Sequence, residues 1–402
     1  MSSSGPDMSR LLSRVLAGRL EDIRAAGLKR FLYASDGSQG NRIRRDGREL
    51  INFSSNDYLG LAAHPALIEA ALMESHRSGF GSGASRLVSG TLRAHADLEE
   101  SLAEFKGTPA ALVFSSGFAA AAGTLPALCG KGDVVILDKL SHACLVDAAR
   151  SSGADIRVFP HNDCGRLESH LKWAREKRPG GNILIVAEAV YSMDGDICPL
   201  WAIVELKDRY GAWLLIDEAH ATGVIGEGGR GLVHELGLGG RVEIRMGTLG
   251  KAVGAHGGFI AGSVELRDYL IHRARSFVFS TAPPPPLAAA ARAGIQLLQS
   301  EEGTIRRQKL WNNIALMADA LGLPVPSSAI LPLVLGAESE AMDASQRFLD
   351  AGFLVPAIRF PTVAKGAARL RVTVSATHTL EEITALGKID FMTRLNMVQD
   401  LP

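Results

Sequence analysis

Ala212-Trp213-Leu214-Leu215-Ile216-Asp217-Glu218-Ala219-His220 is an apolar run that stops abruptly on ionisable side chains. A short, nearly continuous apolar run of this kind reads as a strand covered on both faces of a sheet. Open α/β sheets gather ligands beyond the carboxyl ends of such strands, so Asp217 stands where the sheet would present its chemistry. Downstream, Gly247-Thr248-Leu249-Gly250-Lys251-Ala252 sets one lysine among small residues. A lysine is a nucleophile near neutral pH only when desolvation or nearby positive charge lowers its pKa, and Gly250 and Ala252 leave room for a flat ring beside it. A strand-end acid followed by such a lysine is what a carbonyl cofactor held as a Schiff base requires. A carboxylate at the ring nitrogen keeps a pyridinium protonated, and a protonated pyridinium is an electron sink. Lys251 is therefore read as the carrier of pyridoxal phosphate and Asp217 as the partner of its ring nitrogen. His220 is placed to bond that acid or the ring hydroxyl.

Working outward, seven apolar runs are spaced as parallel strands with helices between them: Ala111–Ser115, Val134–Asp138, Ile156–Phe159, Ile183–Ala187, Trp213–Asp217, Glu243–Gly247 and Gly258–Gly262. Polar residues collect after them. Ser115-Ser116-Gly117-Phe118 leads into a helix expected from Ala119, and its free amides suit the cofactor phosphate, with Thr248 as a hydroxyl donor. His142, after the second run, is a candidate to lie flat against the ring, and Ser192, after the fourth, to reach the ring oxygen.

Residues 8–31 carry apolar positions at helical spacing and predict an amphipathic arm, and Arg42–Ile51 alternates around Asp46-Gly47 as a hairpin. Met1–Asp7 lacks the basic start and apolar core of a signal peptide and is expected to be a frayed end. Lys29 and Arg30 are solvated or meet an anionic substrate. Gly79–Arg86 is too rich in glycine for regular structure. Pro283–Pro286 predicts a stiff break, followed by a helix at Leu287–Leu298 and strands at Ala329–Leu335, Leu354–Ile358 and Arg369–Ser375. In the last, Arg369 and Arg371 share one face, suited to bidentate carboxylate recognition unless this is a solvated edge strand. The expected division is an arm and hairpin over 1–51 packing with the small domain, a large α/β domain over 52–282, and a smaller α+β domain over 283–402.

Two rival motifs overlap this core. Leu214–His220 also fits the second nucleotide-binding element of a DEAH-type NTPase, but such an enzyme needs G-x-x-x-x-G-K-[ST]; Gly250-Lys251 is followed by Ala252, and Arg245 stands where the first glycine belongs. Gly226-Glu227-Gly228-Gly229-Arg230-Gly231 fits G-x-G-x-x-G, yet it neither follows a strand directly nor opens a long helix, so it reads as a surface loop. Lysine plus arginine and aspartate plus glutamate are 43 each among 402 residues. That balance gives no electrostatic case for nucleic acid or an anionic membrane, and the partner is expected to be a small molecule. Cys129, Cys144, Cys164 and Cys198 are scattered and read as reduced thiols of a cytoplasmic protein; no metal site is expected.

These residues resemble the α-oxoamine synthases, pyridoxal-phosphate enzymes of fold type I that join an amino acid to an acyl-CoA with loss of carbon dioxide. The likeness runs from about Asn52 to His378 through Ser55–Leu61, Gly81–Thr91, Ser115–Phe118, Ser192–Asp196, Asp217–His220, Gly223–Gly231, Thr248–Lys251 and Arg369–His378. It implies a mainly parallel seven-stranded sheet between helices, with Lys251 as the Schiff-base lysine, Asp217 at the pyridine nitrogen and His142 stacked on the ring. His220 and Ser192 would face the phenolic oxygen, Ser116, Gly117, Phe118 and Thr248 the phosphate, and Arg371 the amino-acid carboxylate. Asn56 would lie on the substrate side. Ser280 and Thr281 match a segment that reaches the neighbouring subunit's phosphate, which implies a homodimer with active sites at its interface. Within the family the motifs point to condensation of L-alanine with pimeloyl-CoA or a pimeloyl carrier protein, with Lys29 a candidate for the far carboxylate; glycine C-acetyltransferase is the alternative.

Overall fold

The computed structural model describes residues 8–389; Met1–Asp7 and the end of the expected small domain lie outside them. Seven strands form one sheet in the order Ala110–Phe114, Gly258–Gly262, Ile244–Thr248, Trp213–Asp217, Ile183–Glu188, Val134–Asp138, Asp155–Phe159. Each expected run is a strand, with ends shifted by a residue at most. Gly258–Gly262 is the exception to parallel order, running against both of its neighbours. Residues 249–257 are too few for the crossover a parallel return needs, so the chain doubles straight back after Lys251.

Side chains of the central strand alternate between two cores. Leu214 and Ile216 join the cluster that includes Leu98, Leu102 and Phe105, while Leu215 joins the one that includes Ala120, Ala121 and Leu145. That period of two, with both faces apolar, is why the run reads as continuous. Polar groups are left only at its carboxyl end.

The hairpin forms as expected, with strands Arg42–Arg45 and Arg48–Asn52. Asp46 and Gly47 both have positive φ, 51° and 76°, the turn that matches strand twist. A second sheet has Ala368–Thr373 at its centre, between Ile330–Gly336 and Ala357–Ile358. All six residues of that central strand are buried, which removes the solvated-edge reading of Arg369 and Arg371. The expected strand Leu354–Ile358 is two strands: Phe353–Leu354 pairs with the hairpin, and Ala357–Ile358 pairs with Ala368–Thr373. Pro356 between them lacks the N–H a continuous ladder needs.

Pro285 opens the helix Pro285–Gln299, a position that tolerates proline because the first turn's amides have no helical partner. The helix packs back on Pro65–Ser78 and Arg93–Lys106, so the proline run starts a helix that leans on the earlier part of the chain. At the other end, the helix Met8–Ala25 leaves Leu11, Leu12, Val15, Leu16, Leu20 and Ile23 exposed. Among the described residues no helix is long and apolar enough to cross a membrane.

Candidate active site

The crevice at the strand ends assembles from loops far apart in sequence. Lys251 follows the strand Ile244–Thr248, and its loop is pinned by Leu249 N–H to Gly257 O (2.9 Å), Ala255 N–H to Leu249 O (2.9 Å) and Gly254 N–H to Lys251 O (2.9 Å). Its Nζ lies 2.7 Å from His220 Nε2. Desolvation lowers the ammonium to about 8; Asp217 and Glu188 oppose that fall and Arg371 adds to it. A fraction of free amine is therefore present near neutral pH and grows through about pH 8, as the nucleophile requires.

Asp217 is buried, and burial raises its carboxyl while Lys251, the Ala219 amide and His142 pull it back. Its Oδ1 accepts from Ala219 N–H at 2.9 Å. Beside it in register on the next strand is Glu188, also buried and driven well upward by burial and then by Asp217; it accepts the backbone N–H of His142. His142 caps the helix Ala143–Ser152, with Nδ1 accepting from Cys144 N–H at 3.2 Å. Its ring stays exposed at the mouth of the crevice.

Arg371 reaches in from the smaller sheet. Its Nε donates to Ser192 O (2.7 Å), Nη1 to Thr373 Oγ1 (2.8 Å) and Nη2 to Asn56 Oδ1 (3.2 Å). Three of a guanidinium's five N–H groups are thus engaged, and two remain for a carboxylate. Arg369 grips the same loop through Asp194 Oδ1 at 2.5 Å.

Ser116 caps the helix Gly117–Leu128, its Oγ accepting from Ala119 N–H at 3.0 Å. The helix starts at Gly117, two residues before the expected Ala119, because this cap closes the first turn. First-turn amides such as those of Gly117 and Phe118 have no partner within a helix. Thr248 faces the same turn, its Cβ near Gly117, and its Oγ1 donates to Gly257 O at 3.0 Å. Gly258 backs this turn so closely that a Cβ there would overlap the Ser116–Gly117 peptide.

Not every expected residue joins this group. Lys29 is exposed, its ammonium 4.5 Å from the centre of the Phe31 ring, with its carbonyl held by Arg359 Nη2 at 3.1 Å. Ser280 and Thr281 line a small cleft with Ser115, and Thr281 bridges to Ser85; among the described residues no hydrogen bond or ion pair joins them to Lys251. Sequence reasoning missed Tyr58, Glu188 and Gly258, whose roles depend on strand register and close approach. Glu218, beside Asp217, points away: Lys106 Nζ donates to its Oε2 (2.9 Å), to Thr222 Oγ1 (2.9 Å) and to Arg230 O (2.7 Å). Gly231, at φ 106°, wraps the other side of Glu218, where a Cβ would overlap Oε1. That packing accounts for the last glycine of the G-x-G-x-x-G match.

A family model for class I and II aminotransferases matches residues 48–388. An 8-amino-7-oxononanoate synthase of Geobacter sulfurreducens is 50% identical over 372 residues, 91% of this chain and 94% of that relative. The chain belongs to the 8-amino-7-oxononanoate synthase family. Members have solved relatives: the 8-amino-7-oxononanoate synthase of Francisella tularensis has a TM-score of 0.72 at 27% identity, covering 87% of this chain and 99% of that one. A serine palmitoyltransferase of S. paucimobilis, solved with a PLP–myriocin aldimine, has a TM-score of 0.88 at 30% identity, covering 97% and 100%. Family membership makes this chain a pyridoxal-phosphate-dependent acyltransferase of fold type I, in biotin biosynthesis. The residues present fit that cofactor: a partly buried lysine of lowered pKa, a buried strand-end carboxylate, and a helix start kept open by Gly258.

Proposed function

We propose that this site condenses L-alanine with a pimeloyl thioester, on coenzyme A or a carrier protein, to give 8-amino-7-oxononanoate, the free thiol and carbon dioxide. The observation that carries the reading is the convergence of Lys251, His220, Asp217 and Arg371 at one crevice, in a chain 50% identical to a named synthase. When bound, pyridoxal phosphate supplies the electron sink for the substrate's α-carbon. Asp217 would keep the ring nitrogen protonated, His142 would cover the ring face, and His220 and Ser192 would face the phenolic oxygen. Ser116, Gly117, Phe118 and Thr248 would hold the phosphate, joined by Ser280 and Thr281 of a second copy. Arg371, steadied by Asn56, takes the α-carboxylate with its two spare donors. Lys251 would hold the cofactor in the resting enzyme and, once free, would be the base that removes the α-proton and later returns one. A homodimer in the cytoplasm follows from this reading.

The test is a visible spectrum of the protein with pyridoxal phosphate, titrated with L-alanine, glycine and L-serine before any thioester is added. Tighter response to alanine, then pimeloyl-CoA-dependent thiol release, is the expected outcome. Preference for glycine would move the activity to a glycine C-acetyltransferase, and preference for serine to the palmitoyltransferase whose fold lies so near. Lys251→Ala should lose the lysine-bound band altogether.

A further inference from the structure

Tyr58 lies in the Ser55–Leu61 loop and is buried, 1% exposed. The loop is rigid: Asp57 Oδ1 and Oδ2 accept from Leu61 N–H (2.8 Å) and Ala62 N–H (3.0 Å), and Ala376 N–H bonds Tyr58 O (2.8 Å). The phenol oxygen sits 2.5 Å from His220 Nδ1 and 3.3 Å from Asn56 Oδ1. A hydroxyl has one proton to give. Asn56 Oδ1, which also accepts from Arg371, is the more distant acceptor by 0.8 Å. The proton therefore goes to Nδ1.

From this geometry we infer that Tyr58 is a positioning residue that fixes His220 as the tautomer protonated on Nε2, the nitrogen presented to Lys251. It rests on the reading of His220 as a cofactor contact. With Nδ1 occupied, Nε2–H is a donor aimed at the lysine nitrogen, 2.7 Å away, whenever that nitrogen is the free amine, and it would be aimed at the phenolic oxygen of a bound cofactor. Burial, with the positive charges of Lys251 and Arg371 and the nearby His142, holds His220 neutral, so one proton is shared between two nitrogens and the partner of one sets the state of the other. A donor at the phenolic oxygen favours its anionic form and lowers the pKa of the cofactor's lysine linkage.

The decisive experiment records ring-nitrogen NMR of cofactor-free protein labelled with 15N-histidine, at a pH above the lysine's value of about 8 so that Lys251 is the free amine, with His220→Gln to assign the signal. Wild type should show a protonated Nε2 and a bare Nδ1. Tyr58→Phe should give a tautomer mixture, and Asn56→Ala should leave the wild-type pattern. In the loaded protein, Tyr58→Phe should raise the pKa of the visible band by roughly half to one pH unit, the size of one net hydrogen bond. A wild-type signal protonated on Nδ1 overturns the proposal even if the variant does not fold; so does a Tyr58→Phe protein with a single Nε2–H tautomer and an unmoved band. Failure to bind pyridoxal phosphate at all would sink the functional reading instead, leaving the cofactor-free tautomer to judge Tyr58.

Discussion

Lys251 is the residue whose charge the crevice governs. Desolvation lowers its ammonium to about 8, against the pull of Asp217 and Glu188 and with the push of Arg371. The rate at which cofactor-free protein captures pyridoxal phosphate should therefore rise with pH through a midpoint near 8. Arg371→Gln removes a positive neighbour and should move that midpoint upward. Stopped-flow absorbance measures both, and a wild-type midpoint near the ordinary value of about 10.4 would contradict the desolvated lysine. Lys251, Asp217 and His220 were legible in the sequence because each sits at or beside the end of an apolar run, where chemistry has to stand, and Arg371 because it alternates with Arg369 on one face of a strand. Tyr58 was not, since an aromatic in a loop declares no partner. Glu188 was not either; its meaning comes from standing opposite Asp217 in the ladder.

Two joints between elements hold the crevice in shape. The first is the close approach of Gly258 to the Ser116–Gly117 peptide. Gly258→Ala must displace a helix start or a strand, an overpacking that costs roughly 1–3 kcal/mol. Its sharper signature should be weaker phosphate affinity, read by equilibrium dialysis of pyridoxal phosphate against pyridoxal; equal losses for both would place the damage elsewhere. The second is His161, which ties three loops by Nδ1 to Asp138 Oδ1 (3.1 Å) and Nε2 to Asp196 Oδ2 (2.7 Å). Asn162 reinforces it, N–H to Asp138 Oδ2 at 2.9 Å and Nδ2 to Asp196 Oδ2 at 2.8 Å. Burial disfavours its charge, but the two carboxylates prevail and raise its pKa to about 10. A folded pKa above the unfolded one of about 6.5 stabilises fully below that lower value and fades to nothing as pH rises through the upper one. Melting temperatures of His161→Gln and wild type should differ most below about pH 6.5 and converge towards pH 10; a gap independent of pH would refute the charged staple. Pro160-His161-Asn162-Asp163 gave no hint of this, because one acid ends the strand Val134–Asp138 and the other lies in the loop after Ile183–Glu188. The sevenfold strand count was readable from apolar runs alone, whereas the reversed direction of Gly258–Gly262 lay in the shortness of the loop before it.

At the scale of the molecule, two of the places where the described residues leave apolar side chains uncovered bear on assembly. One is the stripe of the helix Met8–Ala25; the other, made by Phe80, Leu87, Val88 and Phe279, includes the neighbour of Ser280 and Thr281. A second copy covering these faces agrees with the proposed dimer. Leu87→Asp with Val88→Asp should give a 42.7 kDa monomer by light scattering and weaken pyridoxal phosphate binding about tenfold or more, since loss of charge-assisted hydrogen bonds of about 1.5–3 kcal/mol is expected. A monomer that kept full cofactor affinity would show that each phosphate site is complete within one chain. The arm's amphipathic spacing was legible, but what it covers belongs to an assembly rather than to a chain.

The ion pair behind the crevice carries a consequence for synthesis on the ribosome. Lys106 and Glu218 are 112 positions apart and both fully enclosed. Burying either one alone leaves an uncompensated charge, a penalty of several kcal/mol. The helix Arg93–Lys106 therefore has no stable seat on the growing chain until Glu218 has left the exit tunnel. At about 5–20 residues per second that is a wait on the order of ten seconds, during which Leu98, Leu102 and Phe105 need a chaperone or each other.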